Sequence, residues 1–237
     1  MILKITGDTH GDQKRMFDYI ELHNSEHNFD MLMICGDFGY IFRGDKSEKI
    51  FLDYLEKEAK FDIVFIDGNH EMFPKIYSFP IEKWNGGLVH SVRRNIKHLM
   101  RGEIYTIGAK TFFTFGGGYS IDKEWRLQYE EIHNKKIWWK EEFPTQEEID
   151  YAFRNLEQHD WTVNYIVTHS APTSLLPQIS EFFISSLKAD VDIVNSTLET
   201  VKQKTTFDHW YFGHYHGESD IGDKFSLLYH TSKNLVL

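Results

Sequence analysis

Short apolar runs recur along the chain, and several end in a polar cluster. Residues 2–6 (ILKIT) run into Gly7-Asp8-Thr9-His10, 31–35 (MLMIC) into Gly36-Asp37, and 62–67 (DIVFID) into Gly68-Asn69-His70-Glu71. Residues 163–168 (VNYIVT) run into His169, and 209–212 (HWYF) into Gly213-His214-Tyr215-His216. These runs are short, rich in β-branched or aromatic types and bounded by polar residues, which predicts buried strands. Between the first three lie stretches of helical length, 12–24 and 46–59; in the second, Ile50, Phe51, Tyr54 and Leu55 share one face. Strand–helix–strand–helix–strand predicts parallel βαβ units and an α/β core. In such sheets ligands collect beyond the carboxyl ends of the strands, which is where the polar clusters fall.

From residue 86 the pattern changes. Residues 88–92, 98–100, 103–108 and 110–118 are closely spaced short apolar runs with Gly or charged turns, and predict hairpins of a second, more antiparallel sheet. Residues 119–144 are charged, aromatic and without a clear period. A capping-box pattern, Thr145 with Glu148 three residues on, opens a predicted helix over 145–158. A further helix is predicted over 187–203, and one or two strands over 225–237. With no repeat, low-complexity tract or linker, one domain over 1–237 is expected, with a substrate-side insertion at about 116–144.

Composition is that of a globular protein: 237 residues, 41% hydrophobic and 26% charged. The formal charge of −10 disfavours general binding to duplex nucleic acid, which calls for a basic balance. An acidic total still allows a local positive site where metal ions bind. The single cysteine, Cys35, precludes an intramolecular disulfide, and no 18-residue apolar run occurs. A cytoplasmic protein with no membrane partner is therefore expected.

Thirteen histidines are present, and their positions matter more than their number. The strand-end clusters gather Asp8, His10, Asp37, Asn69, His70, His169, His214 and His216. Imidazole, carboxylate and amide donors without thiolate suit Mn, Fe, Zn, Ni or Co. Asp8 with His10, and His214 with His216, are spaced i, i+2, so both members of a pair can turn to one side of a strand end. Seven potential ligands exceed what one ion takes from protein while staying open to water; two ions sharing Asp37 fit the count better. Two such ions can clamp a phosphoryl group, acidify a bridging water and align it for in-line attack.

These blocks, Asp8-Thr9-His10, Gly36-Asp37, Gly68-Asn69-His70-Glu71, His169 and Gly213-His214-Tyr215-His216, resemble in order and spacing the signature of the calcineurin-like metallophosphoesterases. The resemblance spans residues 8–216. It implies a four-layer αββα sandwich of two mixed sheets flanked by helices, and a dinuclear hydrolase of phosphate esters. By residue-wise carry-over, Asp8, His10 and His216 would bind one ion and Asn69, His169 and His214 the other, with Asp37 bridging. His70 would be the catalytic residue, a general acid or a phosphate contact rather than a ligand.

One departure bears on substrate. Many family members follow Gly-Asp with a second Asp and an Arg, whereas here the run is Gly36-Asp37-Phe38-Gly39-Tyr40-Ile41-Phe42-Arg43-Gly44. Arg43, with Lys123 and Arg126 of the 116–144 segment, is a candidate substrate contact, and Trp138 and Trp139 offer flat apolar surface. The expected substrate is a phosphorylated small molecule, a nucleotide or a phosphoprotein. A nuclease or nucleotide phosphodiesterase is the narrower alternative, and a non-catalytic interaction scaffold the alternative from another class. Taken singly the residues have plain structural readings: Asp8 and Asp37 as helix caps, His169 as a core histidine.

Overall fold

The computed structural model describes residues 1–183 and 192–237. In chain order the elements are β1 (Ile2–Thr6), α1 (Gln13–Glu26), β2 (Met31–Ile34), α2 (Lys46–Glu58), β3 (Asp62–Phe65), α3 (Phe73–Ile76), β4 (Ile81–Trp84), β5 (Gly87–Arg93), β6 (Ile96–Leu99), β7 (Ile104–Ile107) and β8 (Lys110–Phe115). They continue with α4 (Lys123–His133), α5 (Gln146–Gln158), β9 (Tyr165–Thr168), α6 (Leu176–Phe183), α7 (Ile193–Lys204), β10 (His209–Phe212), β11 (Ser219–Ile221), β12 (Phe225–Leu227) and β13 (Ser232–Val236). Helix starts follow local chemistry: Asp12 accepts from Lys14 N, Asp45 from Glu48 N, and Thr145 with Glu148 forms the expected capping box.

Two mixed sheets result. One has the order β13-β1-β2-β3-β6-β5-β4, the other β11-β12-β10-β9-β8-β7. Alternation along each strand sorts side chains between layers. Leu32 and Ile34 of β2, with Ile63 and Phe65 of β3, meet Met16 and Ile20 of α1 and Phe51, Leu52 and Leu55 of α2. Met31 and Met33 face the other way, with Cys35, Leu3, Ile5 and Val64, onto Phe112, Val167 and Tyr211 of the second sheet. The outer face of that sheet carries Phe113, Phe115, Ile166, Trp210 and Phe212, packed on Ile149, Ala152 and Leu156 of α5 and Val194, Leu198 and Val201 of α7. Helix, sheet, sheet and helix therefore stack as four layers. Cys35 is a buried apolar residue between the sheets.

Three expectations differ. Strands β5 and β6 join the first sheet, β6 running parallel to β3, so of the strands expected over 88–118 β7 and β8 alone form a hairpin of the second. The second sheet is mainly parallel at its centre, because β8, β9, β10 and β12 all pair in parallel. Short runs with both faces buried carry no periodicity that would tell the two sheets apart. Within 119–144 the chain forms α4, which the pattern hid because its one buried residue is Arg126 while Trp125 and Ile132 face solvent. Of the helix expected over 187–203, residues 193–203 are helical in α7 and 187–191 lie outside the described residues. Among the described residues no helix is long and apolar enough to cross a membrane.

A buried ion pair ties the segment after β8 to the first sheet. Arg101, between β6 and β7, donates from Nε to Asp67 Oδ2 at 2.9 Å and from Nη2 to the Glu141 carbonyl at 2.8 Å. His98 Nε2 lies 3.1 Å from Asp67 Oδ1, and Gly117 N donates to the Asp67 carbonyl at 3.0 Å. Burial pushes the Asp67 carboxyl up, but the Arg101 charge and the His98 hydrogen bond outweigh it and hold it well below the usual range. Removing one partner of such a pair strands a buried charge. Arg101→Leu is expected to lower unfolding free energy by about 3–5 kcal/mol, read by urea denaturation; a loss below about 1 kcal/mol would show that the pair is dispensable.

Candidate metal centre

The polar clusters beyond β1, β2, β3, β9 and β10 converge at one end of the two sheets. Strands β1, β2 and β3 are parallel neighbours, with Thr6 opposite Ile34 and Ile34 opposite Phe65, so the residues that follow them emerge side by side. Thr168 and Phe212 are likewise paired in the second sheet, which sets His169 beside the His214 turn.

The donors form two groups. In the first, His10 Nε2 lies 2.8 Å from His216 Nε2, 3.5 Å from Asp37 Oδ2 and 3.7 Å from Asp8 Oδ2, and His216 Nε2 lies 3.4 Å from Asp8 Oδ2. Ligand atoms of these four residues all fall within 4.8 Å of one another. In the second, His169 Nε2 lies 3.2 Å from Asn69 Oδ1, 3.2 Å from His214 Nδ1 and 3.4 Å from Asp37 Oδ1. Asp37 thus presents one oxygen to each group.

The residues fit a bound cation on their own chemistry. His169 Nδ1 donates to the Cys35 carbonyl at 2.8 Å, so Nε2 carries a bare lone pair, aimed at two oxygens that also only accept. Asn69 is oriented the same way: Nδ2 donates to Ser120 Oγ at 3.1 Å, leaving Oδ1 for the site, and Ser120 Oγ donates to Glu142 Oε2 at 2.5 Å. Asp8 and Asp37 are each 1% exposed, yet among the described residues their ion-pair partners are all histidines. Burial opposes their charge. Hydrogen bonds from His10 and His216, for Asp8, and the His169 and His70 imidazoles beside it, for Asp37, hold both carboxyls low. Burial lowers the His214 imidazole to about 3, and its neighbour His169 acts in the same direction, which makes it a neutral lone-pair donor at pH 7.

Close approach at the turns needs glycine. A Cβ on Gly68 would lie 2.0 Å from Asp37 Oδ1, and one on Gly36, where φ is +87°, 2.2 Å from His169 Nδ1. Four of the eight singled-out residues adopt left-handed backbone, His10, Asp37, His214 and His216. Such conformations persist where surrounding structure imposes them.

His70 sits beside these groups rather than in them. Its backbone N–H donates to Asp37 Oδ1 at 2.8 Å, and its ring meets the His10 ring edge-on at 4.6 Å. Arg126 of α4, 2% exposed, places Nη2 2.7 Å from His70 Nε2 and pairs Nε with Asp122 at 2.8 Å. Burial lowers the His70 imidazole to about 4; Asp37 opposes this and the charge of Arg126 adds to it. A cavity of about 270 Å³ opens over Asp37, Asn69, His70, His214 and His216. A second, of about 330 Å³, adjoins it at His70 and Asp122 and is walled by Arg43 and Arg126.

All eight residues singled out in the strand-end clusters are therefore together, and Arg43 and Arg126 lie at the edge. Lys123 lines neither cavity: its Nζ sits 4.5 Å from the Trp138 ring centroid. Trp139 is buried at 4% exposure, so neither tryptophan of that pair forms the wall; Trp125 and Tyr129 do. The pattern of the sequence did not reveal Ser120 and Glu142, or Tyr215, whose hydroxyl meets Ser170 Oγ at 2.9 Å and holds the His214–His216 turn to the His169 strand. It also missed Tyr229, stacked on His216 at 4.6 Å.

Comparison with known proteins agrees with this geometry. A family model for the calcineurin-like phosphoesterases matches residues 1–218. No curated protein matches the chain. Among solved structures, an archaeal phosphodiesterase aligns at 11% identity over 100% of both chains, with a TM-score of 0.39. Phosphopantetheinyl hydrolase from Mycobacterium tuberculosis aligns at 16% identity over 96% of this chain and 87% of that one, with a TM-score of 0.44. Two mixed sheets between helices, a strand-end cluster of side chains that could hold a metal ion and a family match over nearly the whole length lead to one conclusion: the chain belongs to the calcineurin-like phosphoesterase family.

Proposed function

We propose that the protein is a hydrolase of phosphate esters with two metal ions, manganese among the suitable ones, held by Asp8, His10 and His216 on one side and Asn69, His169 and His214 on the other. Asp37 serves both. The observation that carries this reading is the split of the Asp37 carboxylate, Oδ2 toward His10 at 3.5 Å and Oδ1 toward His169 at 3.4 Å. Divalent ions in such a pair of sites supply Lewis acidity, which draws in a phosphoryl group and makes an attacking water available at neutral pH. The protein keeps its donors deprotonated and fixed: His169 by the Cys35 carbonyl, Asn69 by Ser120, Asp8 by the His214 backbone N–H at 2.9 Å.

His70 is a phosphate contact. An imidazole lowered to about 4 is neutral at pH 7, so it offers an N–H to a phosphoryl oxygen rather than an acidic imidazolium. Arg126 is a positioning residue, since its guanidinium is engaged by Asp122, the Asn69 carbonyl and His70 itself. Residues 116–144 form an insertion on the substrate side of one domain. The reduced, buried Cys35 fits a cytoplasmic setting. An intact donor set separates this reading from a non-catalytic scaffold.

Protein reconstituted with excess Mn²⁺ is expected to carry two ions per chain by elemental analysis and to hydrolyse a generic aryl phosphate. One ion or none would overturn the dinuclear reading. Asp37→Asn is expected to lower occupancy at both positions at once. For Ser120→Ala, which leaves the Asn69 amide unanchored, the expectation is Mn²⁺ binding weaker by about 10- to 100-fold at one position. Calorimetry reads this, and affinities within twofold of the parent would detach Ser120 from the site. His70→Gln is expected to keep the metal and lose about 10²–10³ in kcat. Because a neutral contact gives no proton, that loss should be the same for good and poor leaving groups; a loss that grows with leaving-group basicity would instead make His70 the general acid.

A further inference from the structure

The helix over the site is turned inside out. In a surface helix the apolar stripe faces the protein and charges face water. In α4 the residue buried beside His70 is Arg126, at 2% exposure, while Trp125 is 57% exposed and Ile132 75%. Trp125, Tyr129 and His133 follow one another at i, i+4 and i+8, and their rings form a ladder, with centroids 5.5 Å and then 4.2 Å apart. Trp125 and Tyr129 line the cavity of about 330 Å³ that begins at His70, with Phe42, 5.6 Å from the His70 ring, on its wall.

The same cavity collects positive charge. Arg43, Arg126 and Lys135 line it against one acid, Asp122, and Asp122 is taken by Arg126. Arg43 pairs through Nε with Asp45 at 3.2 Å and Glu48 at 3.6 Å, and Lys135 forms no ion pair among the described residues. On a chain of charge −10, an exposed aromatic face beside three cations, of which Lys135 has no ion-pair partner among the described residues, open to the phosphoryl position, is a recognition surface rather than a solubility feature. Its volume suits one ring with a substituent and is too small for a folded partner.

We infer that the substrate is a phosphate ester whose organic part is a flat ring bearing a second anionic group, the ring lying on Trp125 and Tyr129 and the anion between Arg43 and Lys135. This rests on the hydrolytic reading of the metal centre. Aromatic stacking supplies affinity that any flat ring shares, and the two cations select those rings that carry charge. A phosphorylated aliphatic polyol would leave both features unused.

The test uses Mn²⁺-loaded protein and three phosphonates, which cannot be hydrolysed: methylphosphonate, benzylphosphonate and 4-carboxybenzylphosphonate, with binding measured by calorimetry. Affinity is expected to rise in that order, about three- to tenfold for the ring and again for the carboxylate. Trp125→Ala should cut the ring increment to under twofold, and Lys135→Ala the carboxylate increment, each leaving the other in place. Both side chains are exposed, so the variants are expected to fold. Equal affinity for the three ligands, no binding of any of them, or increments that survive both substitutions would overturn the inference. Turnover is measured separately on 4-carboxyphenyl phosphate. The expected rank order of binding without any turnover counts against the hydrolytic reading and leaves the ring-and-anion surface standing.

Discussion

Two buried carboxylates govern this structure. Asp8 and Asp37 lie beyond adjacent parallel strands, out of water, with histidines in place of a permanent cation as their charged neighbours. Burying a carboxylate costs several kcal/mol, of order, unless opposite charge and hydrogen bonds compensate. Here backbone N–H groups make part of that compensation: His214 N donates to Asp8 and His70 N to Asp37. Both donors belong to other turns, so the compensation of charge also fixes the relative position of the strand ends. The histidine sites then follow, because the turns that neutralise the carboxylates are those that carry His70, His214 and His216.

This arrangement bends the backbone to its purpose. A strand end that must return a side chain toward its own axis leaves the extended region at once, and His10, Asp37, His214 and His216 do so with positive φ. Such residues cost of order 1–3 kcal/mol each. The surrounding contacts hold them in place: Tyr215 to Ser170 and Asn195, Tyr229 against His216, and His169 against Gly36 at a distance that excludes any larger residue. Rigid donors at a strained turn are what a coordination site wants, since little reorganisation is left when an ion arrives.

The strand-end clusters were legible in the sequence because each is local. Each holds its glycine, acid, amide or histidine residues within four positions, directly after an apolar run, and the βαβ order brings the first runs together. What failed to show is long-range. Ser120 reaches Asn69 across 51 positions and Glu142 reaches Ser120 across 22, and no spacing rule announces either. Helix α4 escaped for a related reason. Periodicity assumes that apolar side chains face inward, and α4 buries an arginine instead. Assignment of β5 and β6 to the first sheet was equally hidden, since the pattern of a short strand reads alike in either sheet.

Four buried carboxyls near the site resolve their charge in different ways, and the contrast is informative. Asp67 has Arg101 and His98 and stays ionised. Glu71 is wholly buried; burial first, and the charge of Asp37 next, push its carboxyl well above the usual range, while Oε1 accepts from Phe38 N at 2.7 Å. Asp8 and Asp37 do neither. Among the described residues no arginine pairs with either carboxylate, Arg15 reaching only the Asp8 backbone carbonyl, and hydrogen bonds together with imidazoles keep them ionised. A fold that can place Arg101 against one buried acid and raise the pKa of another could do the same for all four. Leaving two ionised, side by side and ringed by imidazoles, makes sense for a divalent cation, which binds ionised carboxylates and imidazoles and is lost from protonated ones.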